Sequence, residues 1–159
     1  MNADLHRRVS AAAATVPGVG PTMMKLTEEE QGWVQAQLAL VDRFVGDYGS
    51  GQVAEGLEGV DQAWATWLEK GPGGEDDADT VINAVAVALG QSVVDALDGF
   101  AWVTVFHDGD TDLCVTGLPA IDALFFPAEV VALEYQAGNA SFLVQTRDHF
   151  VASINDLGA

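Results

Sequence analysis

Positive charge is the scarcest property of this chain: six lysines and arginines stand against 24 aspartates and glutamates in 159 residues, a formal net charge of −18. Such a surface repels phosphate backbones and anionic headgroups, which argues against direct nucleic-acid binding and against membrane binding. The shortage is uneven. Arg7, Arg8 and Lys25 face Asp4 alone in residues 1–25, so the body keeps only Arg43, Lys70 and Arg147. Cysteine is nearly absent as well. Cys114 has no second cysteine to pair with and no Cys/His ligand spacing around it, so a reducing, cytoplasmic compartment is expected. Long apolar runs are missing: no window reaches the roughly 18 residues of a membrane span. Ser10 and Thr15 interrupt the Ala11–Ala14 run before it could serve as a signal-peptide core. No Gly-x-Ser-x-Gly turn and no glycine-rich loop ending in lysine occurs, so nucleophile-elbow and phosphate-cradle chemistry fall away, and no cofactor is expected.

What is present is ample material for a core. Hydrophobic residues make up 49% of the chain, and a length of this order suits one domain that needs no covalent staple. Residues 1–25 end in Pro17-Gly18-Val19-Gly20-Pro21 and read as a tail or linker; residues 26–159 read as one acidic α+β domain. Thr27 and Glu30 form a capping-box signature before an amphipathic helix through Val34, Leu38, Val41, Val45 and Tyr48. Val53, Leu57, Val60, Trp64 and Trp67 repeat the rhythm in a second helix that stops at Gly71. A third helix starts at Asp77 or Asp79 and runs to Gly99, with Ile82, Val85, Leu89 and Val93 on one side. The period then changes. Ala101–Phe106 and Leu113–Thr116 read as a hairpin, and Ala123–Phe126 as a third short strand. Pro127 opens a fourth helix ending at Gly138, and Ser141 suits the cap of a fifth. The expected fold is about five helices packed around a short three-stranded antiparallel sheet.

Val81-Ile82-Asn83-Ala84, then Gly90-Gln91, then Trp102-Val103, then Phe125-Phe126-Pro127 come in an order and approximate spacing that resemble an uncharacterised bacterial family, domain of unknown function DUF3806, over roughly residues 57–155. The resemblance implies a compact bacterial domain with a central helix followed by a short sheet. It brings no activity, substrate or catalytic residue with it.

Several residues could carry chemistry, and each also has a plain structural reading. Asp108, Asp110 and Asp112 alternate like the first metal ligands of a calcium loop. The sixth and twelfth positions of that loop hold Leu113 and Pro119 in place of glycine and glutamate, and aspartate and glycine are ordinary hairpin residues, so a solvated turn explains them. Glu75, Asp76, Asp77 and Asp79 suit the positive end of the third helix. His107 could act as a base near Cys114 across the hairpin, although a lone cysteine in an apolar strand is normally a small core residue. Asn83 and Gln91 can present amides on the central helix, or line a half-buried strip. Trp64 and Trp67 can anchor a partner or fill the core, as can Trp33 and Trp102.

With no complete catalytic arrangement in view, the expected function is a non-catalytic interaction or accessory module that engages a basic partner surface, mimicry of nucleic acid being one form of it. The competing expectation is an enzyme, metal-binding or small-molecule-binding protein with a pocket beside the central helix, contacted by Asn83, Gln91 and His107.

Overall fold

The computed structural model describes residues 22–49, 56–71, 77–107, 110–117 and 120–157. In chain order these form β1 (Thr22–Lys25), α1 (Glu28–Tyr48), α2 (Leu57–Lys70), α3 (Ala78–Ala96), β2 (Ala101–His107), β3 (Asp110–Gly117), β4 (Ile121–Phe125), α4 (Pro127–Ala137) and α5 (Leu143–Leu157). The architecture is α+β with five helices, as the sequence implies.

The sheet has four strands in the order β1-β2-β3-β4, all antiparallel, which corrects the expected three. The additional strand, Thr22-Met23-Met24-Lys25, lies within residues 1–25, where breaker residues and a lack of alternation masked it. Its ladder to β2 pairs Met24 with Thr104 and Lys25 with Val103. Four residues are too few to show a period of two, and the strand exists because β2 offers it an edge. The last strand also starts earlier than read, at Ile121, and Phe126 has left the sheet to stand as the N-cap residue of α4.

Helix boundaries follow local chemistry. Thr27 caps α1: its Oγ1 accepts from the Glu30 amide at 3.1 Å, while Glu30 Oε1 accepts from the Thr27 amide at 2.9 Å. Asp77 caps α3 by accepting from the Thr80 amide at 2.8 Å. The third helix ends at Ala96 with Leu97 as its C-cap, short of Gly99. Ser141 does not cap α5. The amides of Phe142 and Leu143 instead donate to Asp61 Oδ1 on α2, each at 3.2 Å, so a carboxylate from another helix takes the role.

The core sits between the helices and one face of the sheet. Val85, Leu89 and Val93 of α3 are fully buried, and Trp64 and Trp67 of α2 pack with centroids 5.3 Å apart. Around them Phe44, Tyr135 and Phe142 close an aromatic cluster. Phe125 of β4 meets Phe150 of α5 edge-on at 4.8 Å, which ties the far strand to the last helix.

Candidate functional site

Helix α3 is buried along most of its length, and at Gly90 a side chain of the sheet meets it closely. The Trp102 ring from the start of β2 lies over this glycine: a methyl group there would sit 2.6 Å from Trp102 Cζ2 and 3.1 Å from Pro127 Cγ. Only a residue without a side chain admits the ring. Beside it, Gln91 Oε1 accepts from the Trp102 indole N–H at 3.1 Å, and Gln91 Nε2 donates to Asp95 Oδ1 at 2.9 Å. Gly90, Gln91, Trp102 and Pro127 thus form one junction of helix, strand and following helix. The half-buried indole N–H has its acceptor, and the amide that supplies it is oriented by a carboxylate one turn further on.

Asn83 does not join this junction. It is exposed on α3, eight residues before Gln91, which puts the two about 12 Å apart along the axis and roughly 80° apart around it. His107 ends β2 opposite Asp110, five residues or about 17 Å along the strand from Trp102. The three polar residues expected to share a pocket are therefore spread over separate places. His107 and Cys114 are not cross-strand neighbours either, because Cys114 pairs with Val103. Burial first, and then the charge of Asp112, push the Cys114 thiol up to about 12. It is a protonated interior group and no nucleophile at neutral pH.

Asp110 and Asp112 occupy alternate, exposed positions on β3, while Asp108 lies outside the described residues, as do Glu75 and Asp76. Among the described residues, no group of three or more His, Cys, Asp or Glu side chains is placed to hold a metal ion. Trp64 and Trp67 are 0% and 1% exposed, so both belong to the interior and neither is available to a partner's surface. Trp64 also donates its indole N–H to the Asn139 carbonyl at 2.9 Å.

Two surface features remain. A cleft of about 430 Å³ opens between α1, α2 and α3, lined by Val41, Val45 and Val60 with Asp42, Gln91 and Asp95 among its polar residues. At the other end of α1 lies an exposed apolar corner. Met24 of β1 is 52% exposed, Phe106 of β2 47% and Trp33 of α1 40%. Met24 and Phe106 share one sheet face with Thr104 between them, and the buried Thr104 hydroxyl donates to Glu30 Oε2 at 2.7 Å. That bond fixes the start of α1 against the strand pair, with Trp33 one turn beyond Glu30. The Thr27 amide and then the Thr104 hydroxyl hold the Glu30 carboxyl below its ordinary value. Glu28 and Glu29 stand exposed beside it.

Sequence reasoning missed this corner because four residues are too few to reveal β1 and because Trp33, by its pattern, can fill the core as readily as anchor a partner. The available signal was Trp33's place one position before Val34, outside the strict four-three rhythm.

No helix among the described residues is long and apolar enough to cross a membrane. A family model described as a domain of unknown function (DUF3806) matches residues 64–144. No match is found among curated proteins or among solved structures. The matched stretch contains Gly90, Gln91, Trp102 and Pro127, the residues of the junction.

Proposed function

The chain belongs to this family, DUF3806, and we propose that it works as a non-catalytic module of the bacterial cytoplasm that engages a basic protein surface through the corner of Met24, Trp33 and Phe106. The observation that carries this reading is the joint exposure of three large apolar side chains beside the acidic first turn of α1. Large aromatic side chains at the centre of a contact supply most of its affinity, and charges at the rim steer the encounter. Here the rim is Glu28 and Glu29, and the whole chain adds a negative field that attracts a cationic partner. The Glu30–Thr104 bond supports the reading by holding the helix and the strands in one arrangement, so little order is lost on binding. The junction at Gly90 serves as scaffold.

Affinity capture from the native cell tests it, with the wild type run beside Trp33→Ser and a Glu28→Lys/Glu29→Lys pair. The expected result is one stoichiometric basic protein on the wild type, released by added salt and lost from both variants. A partner that both variants retain, or no stoichiometric partner at all, counts against the reading.

The cleft beside α3 supports a second reading, a small-molecule site whose walls are apolar and whose polar groups are Asp42, Gln91, Ser92 and Asp95. Two carboxylates there favour a small cation-bearing molecule. A saturable rise in Tm with such a compound, abolished by Asp95→Asn, decides for this reading.

A further inference from the structure

The two edges of the sheet are unlike. At β4, Ala123, Leu124 and Phe125 are 4%, 2% and 2% exposed, and because side chains alternate, both faces of that strand lie inside the molecule together with its main chain. At β1, Met23 is 37% exposed and Met24 52%, on opposite faces of the sheet, and Lys25 after them is exposed too. One edge is closed and the other is open.

In an antiparallel ladder a residue turns its N–H and C=O together toward the partner strand or together away from it, alternately along the chain. Of the four residues of β1, two therefore bond to β2 and two turn an N–H and a C=O outward. Among the described residues no other strand pairs with β1 and no further backbone bond reaches it. Edges of this kind recruit strands from other chains unless proline, a bulge or charge blunts them. β1 holds no proline, its register with β2 is unbroken, and its one charge, Lys25, stands at its end. On the reading that the corner of Met24, Trp33 and Phe106 docks a basic protein, we propose that the partner enters as an extended segment. It adds a fifth strand along β1, with an apolar side chain beside Met24 and a lysine or arginine at Glu28 and Glu29.

Side chains and charge select this occupant. So short a ladder offers two donors and two acceptors, and the side chains supply the rest of the affinity, as they do wherever a peptide extends a sheet. Cross-strand neighbours on one face come within about 5 Å, so a residue opposite Met24 joins the corner that Phe106 and Trp33 complete. Its neighbours in the segment fall beside Met23 on the other face. Methionine is unbranched and polarizable, and two of them accept side chains of varied shape. A second copy of this chain is a poor occupant, because it brings its own −18 to the edge. A cationic segment is a good one, since Glu28 and Glu29 stand exposed three and four residues past Lys25.

The probe is a phage-displayed library of random peptides about ten residues long, panned on the full chain. The selected peptides should alternate apolar and polar residues and carry lysine or arginine at one end. Resynthesised with single N-methyl groups, they should lose on the order of tenfold in affinity at every second position and almost nothing between, since only alternate N–H groups face β1. The outward amides of β1 should exchange with solvent on the order of tenfold more slowly in the complex. Glu28→Lys with Glu29→Lys should weaken the same peptides. The N-methyl scan alters the peptide alone, so its answer does not depend on a variant that folds. Peptides indifferent to the position of the methyl group, or no selected peptide at all, overturn strand addition. Self-association of the chain that protects the same amides would assign the edge to a second copy and overturn it equally. A basic protein captured by the wild type and lost from Trp33→Ser, with no strand-adding peptide, leaves the docking corner standing and ends this proposal alone.

Discussion

Gly90 carries a steric requirement, because a methyl group there would meet the Trp102 ring on one side and Pro127 on the other. Gly90→Ala is expected to destabilise the fold by about 1–3 kcal/mol, read as a lower midpoint in urea at unchanged slope, even though alanine is the better helix former. Trp102→Phe in the same background should recover part of the loss, since it removes the Cζ2 and Cη2 atoms that meet the alanine methyl, although the indole donor to Gln91 goes with them. Two residues further along β2, where Thr104 meets α1, Glu30 offers a test of charge. Its carboxyl is held below 4.5 first by the Thr27 amide and then by Thr104, so its contribution to stability is present above the ordinary carboxylate range and disappears as pH falls through the lowered value. Thr104→Val should move the Glu30 titration, followed by carboxyl NMR, upward toward 4.5 without reaching it, because the Thr27 amide remains. An unchanged midpoint would mean that the hydroxyl contributes nothing to the charged form.

Among the elements, the five helices were legible because each carries a 3.6-residue apolar rhythm and a chemical stop, from the Thr27 capping box to Gly138. The hairpin was legible because Ala101–Phe106 and Leu113–Thr116 are rich in strand formers. What stayed hidden depended on partners remote in sequence. β1 is four residues long and takes its identity from β2, and the cap of α5 comes from Asp61 on α2, some eighty residues earlier. The candidate site was legible only in pieces: Gln91 and Trp102 were singled out, but their bond to each other depends on how the sheet packs on α3. Local pattern cannot report such meetings. Asp61→Ala leaves the Phe142 and Leu143 amides without their acceptor and should cost about 1–2 kcal/mol. The loss is measurable by thermal or urea unfolding, and Ser141→Ala should cost less than half as much.

For the molecule as a whole, a net charge of −18 on 159 residues means that the folded state gathers like charges the unfolded chain holds farther apart. Raising monovalent salt from about 10 mM to 150 mM shortens the screening length from roughly 30 Å to 8 Å and should raise Tm by several degrees. A Tm that falls over this range would show that attractive ion pairs outweigh the repulsion. The chain order of the sheet has a further result. β1 is finished at Lys25, yet its partner begins at Ala101, after three complete helices. At roughly 5–20 residues per second, a ribosome needs several seconds to deliver that partner. During translation Met23 and Met24 wait unpaired while α1 to α3 gather, so the sheet's first-made strand is the one it must recruit late.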